Sequence, residues 1–302
     1  MTGLKNIVLV VADSLRRDTF NHILSLHGFN DYPVKQYTMK SMNSNTMLSL
    51  PWMLTGTNTY SEVANLPSDL RHIGYSTLLI HSNPIVNRFK HGFDHVIDVH
   101  IHHRRERIAR RFNRVRDALQ KRLPASTYRK VKHLIRDAPE NYLPYSRVDY
   151  KLETLIENAF PSPYFVWLHL MDPHTPYYPQ ATGLPKEKII DLNDNQISAV
   201  RGYYTPNMEE VKTWYSLYLQ ESTEMWLSLN TYLETVDYDK TTVLFTSDHG
   251  EEFGEHQHYG HKGNRFNPEN IKVPFFIAGQ DLPKHNIENH STLRNLIKTL
   301  TK

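Results

Sequence analysis

Short apolar runs closed by polar side chains recur along the chain, at KNIVLVVAD (5–13), YSTLLIHSN (75–83), YFVWLHLMD (164–172), TTVLFTSDH (241–249) and KVPFFIAG (272–279). Within them, β-branched and aromatic residues stand side by side instead of alternating with polar ones, which predicts strands covered on both faces. Between them, apolar residues at helical spacing predict helices over 61–73, 104–136, 147–159, 208–235 and 290–301, and a further helix beginning near Ser14. Strands alternating with helices in this way predict a mostly parallel sheet with helices on both faces. The stretches 138–147 and 173–206, with several Pro, Gly and Asn, read as long loops, a kind of segment that is often functional. No internal repeat interrupts this order.

In open α/β sheets ligands gather beyond the carboxyl ends of the strands. Asp13, Asp172 and Asp248 all fall at such ends. The stretch FTSDHGEEFGEHQHYGHKG (245–263) adds four carboxylates, four histidines and a lysine immediately after an apolar run. A divalent cation takes carboxylate oxygens and imidazole nitrogens delivered by rigid elements from distant parts of the chain. Asp13 and the Asp248–His249 pair meet that description. Taken singly, each aspartate serves equally well as a helix cap; three strand ends that all deliver acid, two of them with a nearby histidine, make a shared metal site the simpler account.

The composition, 39% hydrophobic and 22% charged over 302 residues, is that of a globular protein, and the length accommodates one large α/β domain. The absence of cysteine excludes disulfides, thiolate metal sites and a cysteine nucleophile. The apolar run before Asp13 is shorter than a signal-peptide core or a membrane span, so the expectation is a cytoplasmic protein without a transmembrane helix. Net charge is +3, but residues 101–137 carry thirteen Lys/Arg against Glu106, Asp117 and Asp137, a local +10 that leaves −7 for the rest. In that basic segment Ile108, Phe112, Val115, Leu119 and Leu123 form one apolar stripe at helical spacing. Two readings follow: a solvated helix packed on the core, or a surface that draws the protein to anionic lipid headgroups, a polyanionic glycan or a phosphorylated substrate, with peripheral membrane contact through 104–136. No nucleic-acid-binding motif accompanies the charge, so nucleic acid is not expected as a partner.

Four stretches resemble the sulfatase branch of the alkaline phosphatase superfamily. IVLVVADSLRRD is similar to the family's first strand and metal aspartate. NTMLSLPWMLTGT resembles its nucleophile segment with the trailing L-T-G, FVWLHLMDPHTPYYP its D-P-H-x-P-Y segment, and VLFTSDHGEEFGEHQHYGHKG followed by VPFFIAG its S-D-H-G-E-x-x-G-E-H segment. GYSTLLIHSNP and the HGFD at 91–94 are lesser echoes. The matches occur in the family's order and span residues 6–279.

The resemblance implies an alkaline phosphatase-like α/β/α sandwich across 1–302, with a basic helical insertion at 101–137 and a short C-terminal helix. It also implies a metal-bound nucleophile that attacks phosphorus or sulfur. In the family the nucleophile precedes the Gly of L-T-G by ten residues, which places it at Thr46. Sulfatases proper carry there a Cys or Ser that is oxidised to formylglycine and followed by x-P-x-R. Here no Cys exists, and neither Pro nor Arg follows Thr46 at those offsets. Ser49-Leu50-Pro51 imitates the start of a Ser-type modification motif, but its distance to Gly56 is short and Met53 stands where Arg is required.

Since threonine cannot become formylglycine, the resemblance favours direct alkoxide attack on a phosphate ester or diester, as in the phosphodiesterase and phosphoethanolamine or phosphoglycerol transferase branches. The metal ligands it implies are Asp13, Thr46, Asp248 and His249. Ser14 stands where calcium-binding relatives carry a second Asp, and His249 where many carry Asn, which shifts the expected ion toward manganese or zinc, with iron and calcium as further options. His174, His261 and Lys262 match positions that bind the transferred group or protonate the leaving oxygen. Asn83 and Lys90 are secondary candidates, and His256 and His258 belong to the rim. The substrate class is an anionic ester, glycan- or lipid-linked among the options. The alternatives are a sulfuric ester hydrolase and a non-catalytic binder of anionic glycan or lipid.

Overall fold

The computed structural model describes residues 4–98, 161–280, 282–283 and 287–301. The helices predicted over 104–136 and 147–159, the loop at 138–147 and the basic stripe lie outside the described residues.

The five apolar runs fold as expected into strands of one sheet. They are β1 (Asn6–Ala12), β4 (Ser76–His81), β6 (Tyr164–Leu170), β7 (Thr241–Ser247) and β11 (Phe275–Ala278), and β2 (Val34–Gln36) and β5 (His95–Asp98) join them at the edges. The seven strands run in the order β2-β11-β7-β1-β6-β4-β5, and β8 (Glu252–Phe253) and β9 (Tyr259–Gly260) pair separately. The block from β7 to β5 is parallel, whereas β11 is antiparallel to β7 and to β2. Pro274 splits the last apolar run: Lys272–Val273 forms β10, which leaves the main sheet to pair with β3 (Met39–Lys40), and β11 starts after the proline. A proline lacks the N–H that a continuous ladder needs at that point.

Successive side chains of β1 point to opposite faces, and both faces are apolar, which is why the run does not alternate. Val8, Val10 and Ala12 pack with Leu192 and Ala199 of α4 (Lys186–Val200) and with Trp214, Tyr218 and Trp226 of α5 (Met208–Glu234); Phe20 of α1 (Arg17–His27) joins the same layer. Ile7, Leu9 and Val11 face Leu50 and Met53 of α2 (Thr46–Thr55), Leu66 and Leu70 of α3 (Leu66–His72), and Leu293 and Ile297 of a C-terminal helix, Leu293–Leu300. The result is a three-layer α/β/α sandwich. Each large side chain buried this way stabilises the fold by roughly 1.5–3 kcal/mol.

Helix boundaries follow local chemistry. The helix expected over 208–235 is α5, opened by a reciprocal capping box between Asn207 and Glu210. The helix expected over 61–73 is shorter, because Asn65 caps it through Ser68 N and Pro67 occupies its first turn. The C-terminal helix is preceded by a 3₁₀ turn over His290–Thr292. The expected loop 173–206 is corrected: it contains α4. Its inward positions Ile189, Leu192, Asn193, Gln196 and Ala199 keep helical spacing, but two of them are amides, which erased the apolar stripe. The helix expected near Ser14 starts at Arg17, since Ser14 has φ 65° and cannot be helical.

Candidate metal centre and nucleophile

The parallel register decides which side chains meet. Val11 of β1 lies opposite His169 of β6 and Thr246 of β7, and His169 lies opposite His81 of β4. Val11 faces α2, so His169 and His81 do too, and Asp13 and Asp248, two positions further along their chains, return to the same side. Asp13 N still donates to Leu170 O at 2.8 Å, so the ladder runs on to the aspartate. Helix α2 brings Thr46, its first residue, against them from above, with Asn45 as N-cap accepting from Leu48 N.

Asp13, His169, Asp248 and His249 have no exposed surface, and Thr46 is 3% exposed. Ligand atoms of Asp13, His169 and Asp248 lie within 4.8 Å of one another and form a group able to hold a metal ion. Thr46 Oγ1 is 3.3 Å from Asp13 Oδ2 and 3.3 Å from His249 Nε2. His169 Nε2 is 3.2 Å from Asp13 Oδ2. Ser14 Oγ donates to Asp13 Oδ1 at 3.1 Å, and Asn83 Nδ2 donates to Asp13 Oδ2 at 2.9 Å.

The donor set fits a divalent cation for a specific reason. His249 Nδ1 lies 2.9 Å from the Gly250 carbonyl, which orients the ring so that Nε2 faces Asp13 Oδ1 at 3.5 Å and Asp248 Oδ2 at 3.4 Å. Asp248 Oδ2 is buried without a hydrogen-bond partner. Two carboxylates converging out of contact with water repel one another, and a cation ligated by their oxygens and by imidazole nitrogen reverses the sign of that interaction.

The same crowding splits the two acids. Burial opposes ionisation of Asp13, but the fields of His174, His169 and His249 and the His169 hydrogen bond hold its carboxyl well below the usual range. Burial, then the charge of Asp13, push Asp248 up.

His261 lies against this group, its ring 4.6 Å from that of His249 and 4.9 Å from that of His174. Its Nδ1 pairs with Glu251 Oε2 at 2.6 Å. Burial alone would lower its pKa, yet the adjacent Glu251 carboxylate, itself 1% exposed, drives it up to about 9, so His261 is a cation at neutral pH. His174 behaves oppositely: burial pushes it down, and its Nδ1 donates to Thr175 O, which leaves a neutral ring with Nε2 bare.

The structure thus brings Asp13, Thr46, Asp248, His249, His174 and His261 together. Lys262 is exposed at the rim, and its carbonyl accepts from Ser44 Oγ at 2.6 Å, which ties it to the loop before Thr46. Asn83 is part of the cluster through Asp13, while Lys90 is exposed. Ser49, set aside as nucleophile on its offset from Gly56, sits one turn into α2 with its hydroxyl on Asn43 O and beside Ser41 Oγ. One sequence reading is corrected. At the β6 end it is His169, not Asp172, that joins the carboxylates, because only odd positions of that strand face α2. Histidine inside an apolar run, as at His169 and His81, was the signal that could have revealed it. Of the glutamates after Asp248, Glu251 orients His261, whereas Glu252 binds Asn267 and Asn270 and Glu255 binds Arg16. His256 is exposed and His258 half-buried. A cavity of about 720 Å³ lined by Glu62, Arg71, Tyr75 and Asp94 lies beside α3, away from this cluster.

The family model described as Sulfatase matches residues 5–302. The chain belongs to the sulfatase family. No curated protein matches its sequence. Among solved structures, this sulfatase-family chain is similar to the soluble domain of lipooligosaccharide phosphoethanolamine transferase A from Neisseria meningitidis, with a TM-score of 0.62, 15% identity, and coverage of 100% of this chain and 89% of that one. It is similar to the C-terminal periplasmic domain of EptC from Escherichia coli in complex with zinc, at 0.58 and 15%, covering 100% and 83%. The third is a phosphonate monoester hydrolase from Silicibacter pomeroyi, at 0.58 and 16%, covering 98% and 73%. At these identities the likeness to solved structures speaks for the fold, which is that of the alkaline phosphatase superfamily. No helix among the described residues is long and apolar enough to cross a membrane.

Proposed function

We propose that this protein is a metal-dependent phosphoryl-transfer enzyme that uses Thr46 as nucleophile on an anionic phosphate ester or diester. The observation that carries the reading is the position of Thr46 Oγ1, 3.3 Å from both a buried carboxylate and an imidazole nitrogen, at the first residue of a helix. Threonine cannot form formylglycine and the chain has no cysteine, which favours phosphorus over sulfur chemistry. The likeness to phosphoethanolamine transferases and a phosphonate hydrolase supports the same side.

Asp13, Asp248 and His249, with His169 and the Thr46 hydroxyl beside them, would hold the ion; a mixed oxygen and nitrogen set of this kind suits zinc or manganese, and a neighbouring fold binds zinc. Bound there, the cation supplies the charge that makes the Thr46 alkoxide accessible near neutral pH. The amino end of α2 adds a partial positive charge at the same oxygen. Thr46 Oγ1 then attacks phosphorus and the ester oxygen leaves. His261, held protonated by Glu251, is the group able to give that oxygen a proton, while exposed Lys262, together with His174 once the anionic ester has drawn a proton onto its Nε2, receives the non-bridging oxygens. Water or an alcohol releases the phosphoryl group from Thr46 in a second displacement.

Matched aryl phosphodiester, phosphomonoester and sulfate substrates, presented to metal-stripped protein resupplied with zinc, manganese or calcium, test this. Metal-dependent turnover of a phosphate ester that is lost in Thr46→Ala is expected. Turnover of the sulfate alone would overturn the reading in favour of a sulfuric ester hydrolase.

A further inference from the structure

Three residues on one stripe of α5, Tyr218, Glu221 and Glu224, spend their polar atoms on backbone of two separate loops. Tyr218 is completely buried in the layer on the far side of the sheet from α2. Its hydroxyl reaches the turn after β1, donating to Ser14 O at 3.1 Å and accepting from Arg16 N at 2.8 Å. One turn on, Glu221, 3% exposed, accepts from Tyr178 N. Glu224 accepts from Gln180 N and Ala181 N, both at 3.0 Å.

The first loop needs holding. Ser14 adopts φ 65°, a left-handed conformation unfavourable for a residue with a Cβ. In that conformation its N–H points at Asp248 Oδ1, at 3.2 Å, while its hydroxyl donates to Asp13 Oδ1. The strained turn therefore ties together the two carboxylates contributed by β1 and β7. The second loop carries His174, three residues before the Tyr177 whose N–H and C=O are both bound by Asn193 of α4, at 2.8 Å each.

We infer that α5 sets the geometry of the centre from behind the sheet: Tyr218 is a positioning residue for the two metal-binding aspartates through the Ser14 turn, and Glu221 is one for His174 through the backbone of its loop. Neither touches substrate or ion. The inference rests on the metal reading of the site, and the two fail separately. If the parent protein binds neither zinc nor manganese, the metal reading falls; if it binds the ion and the variants behave as the parent does, the inference alone falls.

The test measures zinc affinity by competition with a chromophoric chelator, alongside steady-state kinetics and thermal unfolding without metal. Tyr218→Phe removes one oxygen and no packing volume. It is expected to weaken zinc binding by about tenfold or more, the range seen when groups that orient ligands are lost. Tyr215→Phe is the control. It deletes a hydroxyl on the same helix that meets Thr19 Oγ1 at 3.3 Å and does not reach the Ser14 turn, so its zinc affinity is expected to equal the parent's. In a Ser14→Gly background, where the left-handed turn is free of Cβ strain, Tyr218→Phe is expected to lose much of its effect, a coupling read from the double-mutant cycle. Glu221→Met is expected to keep parental zinc affinity and lower kcat. Unchanged zinc affinity in Tyr218→Phe, or an equal loss in Tyr215→Phe, would overturn the inference for the turn. Unchanged kcat in Glu221→Met would overturn it for the His174 loop.

Discussion

Asp248→Asn asks whether the buried carboxylate pair exists to hold a cation. Oxygens of Asp13 and Asp248 lie within 4.8 Å of one another, both side chains fully buried. Two unit charges at that separation repel by about 3.5 kcal/mol at an effective dielectric constant near 20. Without metal, burial and then the charge of Asp13 raise the pKa of Asp248, so its carboxyl gives up the proton less readily than in the unfolded chain. A carboxyl raised on folding contributes stability below its unfolded pKa and loses it as pH rises through its folded value, so the metal-free protein weakens on the way to neutral pH. Asparagine keeps the Oδ1 that accepts from Ser14 N and His249 N and removes the charge. The metal-free variant is therefore expected to melt a few degrees above the metal-free parent at neutral pH, at about 2 °C per kcal/mol for a chain of this size. Metal reverses the order. At about 100-fold excess over its Kd an ion stabilises the parent by about 2.7 kcal/mol, and the variant is expected to lose most of that gain. Thermal unfolding by circular dichroism, with chelator or with zinc, from acid to neutral pH, reads both effects. A metal-free variant less stable than the parent, with the zinc-dependent gain intact, would refute the reasoning.

Thr46→Ala is expected to lower turnover by about 10⁴-fold or more while leaving the unfolding curve in place, and Thr46→Ser to retain activity; stopped assays with an aryl phosphodiester check both. Glu251→Gln takes away the carboxylate that lifts His261 to about 9. Its imidazole NMR titration in metal-free protein is expected to move down; stability that the parent holds below the ordinary histidine pKa and loses as pH rises through about 9 should be absent from the variant. Gly250→Ala would set a Cβ 1.9 Å from the Glu269 carbonyl oxygen, a backbone atom that cannot step aside cheaply. A loss of about 1–3 kcal/mol or more is expected, read as a lower urea midpoint.

The sequence by itself determined the strands and the layer order, because a strand covered on both faces must be apolar throughout, and that is visible residue by residue. It also singled out Asp13, Thr46 and the Asp248–His249 pair, through order and spacing that resemble the sulfatase family's motifs, and the structure brings these residues together. It did not reveal α4, whose Asn193 faces inward to bind the backbone of Tyr177 and so breaks the apolar period. Nor did it separate His169 from Asp172 at the β6 end, a matter of which face each position takes in the sheet register. The charge states were also beyond it. His261 and His174 are both histidines in family motifs, yet a carboxylate 2.6 Å away keeps one charged while burial keeps the other neutral. Periodicity is a local property of the chain and can be read in order. Which side chains share a low-dielectric space, and which backbone turns are held under strain by Tyr218 from across the sheet, depend on contacts more than two hundred residues apart in sequence, and only the tertiary structure decides them.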